Sequence, residues 1–144
     1  MSESAGPAFQ RDFPARGLAI GDFDNDGLPD VLIGNNGAAP FLLRSNPGQG
    51  NHWLGVRLVG TTANRDAVGA RLTWSAGGVT RSRLKNHGGS YLSSHDPREI
   101  VGIGKQSRID SLEVKWPAPS KRMDRFTKLP IDRYVTVTER GKLE

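Results

Sequence analysis

Apolar residues alternate with polar ones through most of the chain, and no apolar segment follows a helical period for more than two turns. A period of two is the pattern of strands that bury one face. It is clearest in HWLGVRLV (52–59), VGARLTWS (68–75), DSLEVKW (110–116) and YVTVTE (134–139). The 18 glycines and 9 prolines suit the tight turns between short strands. We therefore predict an all-β fold of about eight strands, an antiparallel β-sandwich or a distorted barrel.

A separate short β unit is predicted before these strands. GLAIGDF (17–23) and PFLLRSN (40–46) have strand composition, and PDVLIGNNG (29–37) is apolar enough for a strand buried on both faces. The segment NPGQG has the composition of a turn and linker. The predicted domain organisation is a disordered lead-in over 1–16, a β unit over 17–45, a linker over 46–50 and the β-sandwich domain over 51–140.

The charge distribution supports a boundary near residue 50. Residues 1–50 contain 3 Lys+Arg against 6 Asp+Glu, a net charge of −3, whereas residues 51–144 contain 17 against 9, a net charge of +8. This difference indicates two structural units.

Several classes of protein are excluded by composition. The chain has no cysteine, which excludes disulfides, thiolate metal sites and cysteine nucleophiles. No apolar run approaches the roughly 20 residues of a membrane span. The first 17 residues lack the apolar core of a signal peptide. We expect a fragment of a longer secreted protein, and an intracellular protein is the alternative.

The densest negative charge of this basic chain lies in GDFDNDGLPD (21–30). Counted from the first aspartate, aspartates occupy loop positions 1, 3, 5 and 9, and a glycine occupies the sharp-turn position 6. This is the ligand spacing of a calcium loop, in which position 7 offers its backbone carbonyl. We predict a Ca²⁺ cofactor whose ligands are Asp22, Asp24, Asp26, the carbonyl of Leu28, and Asp30.

The loop differs from a helical EF-hand, because position 12 is Ile33 instead of glutamate and the flanking segments are strands. The remaining ligands are then waters or groups from elsewhere. A polar β-turn with solvated carboxylates is the competing interpretation. Four aspartates in register with Gly27 favour calcium, and the absence of His and Cys from the loop disfavours zinc and copper.

Two resemblances extend this interpretation. GLAIGDFDNDGLPDVLIGNNG (17–37) resembles an FG-GAP (VCBS-type) repeat. The runs NHWLGVRLVGTTANRDAVGARLTW (51–74), GGSYLSSHDPREIVGIG (88–104) and SLEVKWP (111–117) are similar to the ASPIC/UnbV domain of the cartilage acidic protein-like family. Because a β-propeller needs four or more blades, a single repeat implies the C-terminal end of a longer protein. The alternative is a reduced member whose lone blade pairs with its own sandwich or another chain.

The resemblance implies calcium binding at the five predicted positions, an extracellular or periplasmic location, a role in adhesion or matrix contact, and no catalytic mechanism. The acidity of the family does not extend to this basic chain. The expected function is a calcium-binding, non-enzymatic module that binds carbohydrate or protein. A second hypothesis is a structural module that forms homo-oligomers through its N-terminal strands, since open strand edges can pair.

Outside the loop, one tryptophan and five basic residues are candidate ligand contacts. Trp53 lies on the opposite strand phase from Leu54, so it either covers the N-terminal unit or is exposed for ligand stacking. The basic residues predict a ladder that is either a solvated face or a patch for a polyanion, such as sulfated glycan or acidic protein. Specific nucleic-acid binding is not expected, because no recognition motif is present. The basic candidates are Arg57, Arg71, Arg81, Arg83 and Lys85.

The turn HGGSYLSSHDPRE (87–99) contains the residue types of a hydrolase triad, namely Ser90, His95 and Asp96. These residues lie close together in sequence, and no pattern supplies an oxyanion hole. A structural loop is the favoured interpretation, and an enzyme that uses the Ser90–Asp96 turn is the third hypothesis.

Overall fold

The computed structural model describes residues 6, 10, 12, 14–46 and 50–144. The predicted lead-in and linker lie for the most part outside these residues, and the predicted division into two units stays a prediction. The strands are β1 (Ala15–Gly21), β2 (Asp30–Asn35), β3 (Phe41–Leu43), β4 (His52–Val59), β5 (Arg71–Ala76), β6 (Val79–Leu84), β7 (Gly89–Ser90), β8 (Ser93–Ser94), β9 (Glu99–Gly104), β10 (Ser111–Lys115), β11 (Met123–Phe126), β12 (Tyr134–Thr138) and β13 (Lys142–Leu143).

The larger part of the fold is a β-sandwich. Two four-stranded sheets, in the orders β11-β10-β5-β6 and β13-β12-β4-β9, enclose one hydrophobic core. The predicted alternation is confirmed, because Leu54, Val56 and Leu72 are fully buried and both Trp74 and Trp116 join the core. Both sheets are open, so the distorted barrel is not adopted. The described residues contain no α-helix. Among them there is accordingly no helix long and apolar enough to cross a membrane.

One pairing differs from the antiparallel prediction. Strand β12 runs parallel to β4, with Tyr134 beside Gly55 and Val135 beside Val56. Parallel neighbours need a long crossover, and the seven intervening strands provide it. As a result Tyr134, at the start of the last long strand, lies near the start of the first strand of the sandwich.

The N-terminal strands form a small antiparallel sheet in the order β1-β2-β3. Strand β2 is not buried on both faces, as the apolar run had predicted. Val31 and Ile33 are half-buried, whereas Leu32 is 45% exposed. That prediction was wrong because Leu32 lines surface grooves instead of facing a second layer.

Candidate metal centre

The aspartate loop connects the antiparallel strands β1 and β2. Gly21 pairs with Asp30, so the two ends of the loop are held side by side. Between them the chain reverses through Asn25 and Gly27, which have φ angles of 59° and 85°. Glycine adopts positive φ without steric cost, and asparagine does so more readily than most residues. The sequence of the loop therefore permits the sharp turn that brings its carboxylates together.

Three of the predicted ligands lie around one centre. Asp22, Asp24 and Asp30 each place one carboxylate oxygen within 4.8 Å of the others. Calcium binds oxygens at about 2.3–2.6 Å, so two oxygens that share one ion lie at most about 5 Å apart. The three carboxylates therefore fit a shared cation.

The other two predicted ligands are not part of this group of three. The carboxylate of Asp26 accepts a hydrogen bond from the amide of Leu28 at 2.8 Å, which shapes the turn. Leu28 itself is half-buried. Coordination by Asp26 and by the Leu28 carbonyl stays a prediction of the loop spacing.

Hydrogen bonds fix the buried carboxylate of Asp22. Its Oδ1 accepts from the amide of Asp26 at 3.0 Å, and its Oδ2 accepts from the amide of Gly27 at 2.8 Å. Oδ2 also accepts from the hydroxyl of Tyr134 at 2.6 Å. A carboxylate offers about four lone-pair positions, so Asp22 retains one, on Oδ1, for a further partner.

The second buried carboxylate, Asp30, accepts hydrogen bonds from the loop and from the segment that follows β3. Its Oδ2 accepts from the amide of Phe23 at 2.9 Å, and its Oδ1 accepts from the amide of Ser45 at 2.8 Å. About two lone-pair positions of Asp30 remain. The third carboxylate, Asp24, forms an ion pair with Arg44, so a positive charge already lies against this cluster.

The donor set suits calcium. It consists of carboxylate oxygens with unused lone pairs, and oxygen ligands match a hard cation such as Ca²⁺ better than zinc or copper. Two of the carboxylates are 3% exposed, and buried negative charges repel one another unless a cation lies between them. The residues of the loop therefore fit the predicted metal.

Trp53 covers the loop, and ligand contact by its ring stays a prediction. It is 8% exposed, and Gly27 packs so closely against its indole that a side chain at Gly27 would overlap the ring. The rings of Trp53 and Tyr134 meet edge to face, with centroids 5.1 Å apart. Of the two interpretations of Trp53, the structure shows the one in which it covers the N-terminal unit.

The predicted basic ladder was wrong as a single surface. Directly opposed residues of an antiparallel pair share a face. Arg83 is opposite the core residue Leu72, and Arg81 shares its phase, whereas Arg71 is opposite Leu84 on the other face. The register of β5 and β6 thus separates Arg71 from the other two arginines.

The remaining two basic candidates lie elsewhere again. Arg57 is in β4, which belongs to the other sheet of the sandwich. Lys85 follows the end of β6 and is 3% exposed, with its Nζ donating to the carbonyl of Pro97 and lying 3.7 Å from Glu99 Oε1. Lys85 therefore differs from the solvent-facing position predicted for it. Ligand binding by the four exposed arginines stays a prediction.

The Ser90–Asp96 turn is hydrogen-bonded to β1. His95 accepts a hydrogen bond at Nδ1 from the amide of Ile20 at 3.1 Å, and the amide of Asp96 donates to the carbonyl of Ile20 at 2.8 Å. The carboxylate of Asp96 is held by the guanidinium of Arg98. These hydrogen bonds of His95 and Asp96 go to β1 and Arg98, not to the hydroxyl of Ser90.

Large apolar side chains are exposed on and near the small sheet. Phe23 is 74% exposed and Leu92, at the tip of the β7–β8 hairpin, is 90% exposed. Leu32 and Leu42 pair across β2 and β3 and are nearly half exposed. Oligomerisation through the N-terminal strands stays a prediction.

Two residues at the loop were not predicted from the sequence, namely Tyr134 and Arg98. Burial raises the pKa of Tyr134 well above its usual value, and the hydrogen bond to Asp22 acts in the same direction, so its hydroxyl remains a donor at neutral pH. The hydrogen bond to Asp96 raises the pKa of Arg98. No local pattern links either residue to the loop, so only the tertiary structure reveals their proximity to it.

Comparison with known proteins confirms both resemblances. Residues 60–144 match the family described as ASPIC and UnbV, and residues 15–53 match the FG-GAP repeat. The metal-centre loop lies within the FG-GAP match.

Longer proteins contain a similar segment. Cartilage acidic protein 1 of Xenopus tropicalis is 32% identical over 116 residues, which is 78% of this chain and 18% of that protein. Cartilage acidic protein 1 of Homo sapiens is 31% identical over 116 residues, 78% of this chain and 17% of that protein. The chain thus spans less than a fifth of the length of these relatives.

Proposed function

Since the chain belongs to the ASPIC and UnbV family and carries an FG-GAP repeat, we propose that it is a calcium-binding, non-enzymatic β module of an extracellular or periplasmic protein. The observation that carries the proposal is the convergence of Asp22, Asp24 and Asp30, whose oxygens lie within 4.8 Å of one another in the FG-GAP loop. The location is supported by the family and by relatives whose name refers to cartilage.

The role proposed for calcium is structural. Asp22, Asp24 and Asp30 would hold the ion, together with Asp26 and the Leu28 carbonyl as the spacing predicts. A bound cation would replace repulsion among the carboxylates by attraction. Because Asp22 follows β1 and Asp30 begins β2, their shared attachment would pin the two strands to each other. Loops of this kind in extracellular modules bind calcium with dissociation constants of about 10⁻⁴ to 10⁻³ M.

We expect millimolar Ca²⁺ to raise the melting temperature of the protein, relative to excess EGTA, by on the order of 5 °C, because a ligand that binds only the folded state stabilises it. Thermal unfolding followed by circular dichroism measures this shift. Asp24→Asn, which removes the most accessible ligand charge, is expected to abolish most of it. Asp66→Asn, which replaces an exposed acid outside the loop, is the matched control. Its melting temperature is expected to rise with calcium as much as that of the wild type.

A carbohydrate or protein ligand is proposed for the calcium-loaded module, and a cleft beside the loop supports a place for it. The cleft has a volume of about 470 Å³ and is lined by Asp26, His52, Arg83 and Gly102, among others. This volume lies within the range of about 300–1,000 Å³ typical of ligand sites. Arg83 offers a positive charge to the cleft, and no atom of a described residue lies within 4 Å of a Cβ built on Gly102, which leaves its backbone accessible.

Glycan and peptide arrays probed with the calcium-loaded protein test this ligand proposal. Binding to an array member is expected to fall at least severalfold in Arg83→Ala, because a charge-assisted hydrogen bond is lost. Arg81→Ala, two residues along the same edge strand, is the control and is expected to bind normally. Equal binding by both variants would place the ligand outside the cleft.

A further inference from the structure

The loop that carries the metal centre is held by the sandwich as well as by its own small sheet. The hydroxyl of Tyr134, at the start of β12, donates to Asp22 Oδ2 at 2.6 Å. Asp22 is the first ligand position of the loop, and Tyr134 lies 112 residues away in the sequence. The same oxygen of Asp22 accepts from the amide of Gly27 at 2.8 Å. The tyrosine therefore completes the set of donors that orients this carboxylate.

Arg98 holds the loop at two further points, one on its backbone and one on a side chain. Its guanidinium donates to the carbonyl of Asp22 at 3.0 Å and to the side-chain oxygen of Asn25 at 2.6 Å. Asn25 has a positive φ of 59°, so Arg98 stabilises a turn that few residues adopt without support. The guanidinium also lies 4.0 Å from the ring centroid of Tyr134, within the range of a cation–π contact.

Arg98 is itself held by Asp96, which lies in the turn that is hydrogen-bonded to β1. Its Nε donates to both carboxylate oxygens of Asp96, at 3.0 and 2.9 Å, and its Nη2 donates to Oδ2 at 2.6 Å. The amide of Asp96 in turn donates to the carbonyl of Ile20. A guanidinium can satisfy all these acceptors at once because its five donors form a planar fork. The contact is thus a connected network and not a single hydrogen bond.

We infer that Tyr134 and Arg98 are positioning residues of the calcium loop, so that the loop is ordered for the metal only when the β-sandwich is folded against it. This inference rests on the proposed calcium binding. Tyr134 and Gly27 together occupy Asp22 Oδ2, which leaves the free lone pair of Asp22 on Oδ1. The sandwich thereby helps to determine which oxygen of the first ligand keeps a lone pair for a cation.

The two parts then stabilise each other. If folding of the sandwich strengthens calcium binding by some factor, calcium binding strengthens the attachment of the loop to the sandwich by the same factor, because linkage is reciprocal. Partners that orient a metal-binding carboxylate typically contribute about 10- to 100-fold to metal affinity. Calcium would therefore strengthen the attachment of the FG-GAP unit to the sandwich.

The test compares Ca²⁺ affinity in wild type and Tyr134→Phe by titration calorimetry, at a temperature at which circular dichroism shows both to be folded. The substitution keeps the ring under Arg98 and removes only the hydroxyl. We expect about tenfold weaker binding. Arg98→Lys keeps the charge without the fork and is expected to weaken binding as well.

Two control variants separate positioning from general destabilisation. Tyr91→Phe makes the same change at an exposed tyrosine whose hydroxyl accepts from Arg16. Glu139→Gln weakens the sandwich at a carboxylate that binds the amides of residues 61–63. Both are expected to bind Ca²⁺ with the wild-type affinity.

A second readout needs no metal. In calcium-free protein, hydrogen exchange at the amides of Asp26 and Gly27, both of which bind Asp22, is expected to be severalfold faster in Tyr134→Phe than in Glu139→Gln. If wild type binds calcium and Tyr134→Phe binds equally well, with unchanged exchange, the positioning role is overturned while the proposed function stands. If wild type binds no calcium, both are overturned.

Discussion

Alanine at Gly27 is expected to destabilise the protein by about 3 kcal/mol. Two costs add at this position. Gly27 has a φ of 85°, a region that costs a residue with a side chain about 1–2 kcal/mol. In addition, a Cβ at Gly27 would overlap the indole of Trp53, which is buried and unable to move aside freely. The displaced turn would also lose the hydrogen bonds that its amides donate to the Asp22 carboxylate. The stabilisation of the protein by calcium is therefore expected to disappear.

Gly37→Ala is the matched control for this prediction. Gly37 follows β2 with a φ of 72°, and no atom of the described part of the chain lies within 4 Å of a Cβ built there. It therefore measures the backbone cost alone, about 1–2 kcal/mol. Urea unfolding of the two variants in EGTA gives both values. Equal destabilisation would show that the contact between the loop and Trp53 contributes nothing.

Replacing Glu139 by alanine is expected to cost about 3 kcal/mol, because three backbone amides, one of them buried and two part-buried, would lose their acceptor. Glu139 is 3% exposed and lies directly after β12. Its Oε2 accepts from the amides of Thr61, Thr62 and Ala63 at 2.7, 2.6 and 2.9 Å. One carboxylate thus closes the turn that follows β4. Glu113→Ala, which removes a half-buried acid paired with Arg125, is the control and is expected to cost much less.

The same carboxylate makes stability depend on pH. Burial would raise the pKa of Glu139, but hydrogen bonds from Ser120 and from the three amides outweigh it and lower the pKa to about 2. The ordinary pKa is 4.5, so the unfolded chain takes up the proton first. The stabilisation is therefore complete above about pH 4.5 and is lost as the pH falls towards 2. Glu139→Gln is expected to flatten this acid limb of the stability profile, measured by urea unfolding at several pH values. An acid limb unchanged by the substitution would contradict the assignment.

The all-β fold was predictable because its signal is local. Period-two alternation in β4, β5, β10 and β12 requires only that each strand bury one face. The buried residues of β5, β10 and β12 are those of the predicted phase, whereas β4 also buries Trp53 and Gly55 on its other phase. The direction of β12 was not predictable, because alternation is the same in parallel and antiparallel strands. That direction matters for the site, since it brings Tyr134 to the loop.

The basic ladder failed for a related reason. Residues of one strand phase share a side, but the side that they share with a neighbouring strand depends on register. The pairing of Arg71 with Leu84 separates it from Arg83, and the sequence does not encode that register in any short pattern. Lys85 follows the strand phase of Arg83 and yet is buried, because its position beyond the strand end brings it to Pro97 and Glu99.

The aspartate loop was predictable as a candidate metal site because its ligands are close in sequence. Alternate aspartates and one glycine determine a local shape, and the structure brings Asp22, Asp24 and Asp30 together. Of its supports, only Trp53 was indicated by the sequence, as one of two interpretations, and Tyr134 and Arg98 were not. Tyr134, Arg98 and Trp53 reach the loop through tertiary contacts, and each belongs to a segment whose own pattern indicates only a strand or a turn.

Titration calorimetry of Ca²⁺ into wild type and Asp30→Asn tests the calcium proposal most directly. Asp30 is buried, and its two carboxylate oxygens accept hydrogen bonds from the amides of Phe23 and Ser45. Asparagine has nearly the same shape as aspartate but carries no charge. We predict saturable binding of a single ion by wild type and by Asp66→Asn, and at least tenfold weaker binding by Asp30→Asn. No binding by wild type at millimolar calcium, or equal affinity in Asp30→Asn, would contradict a calcium site in this loop.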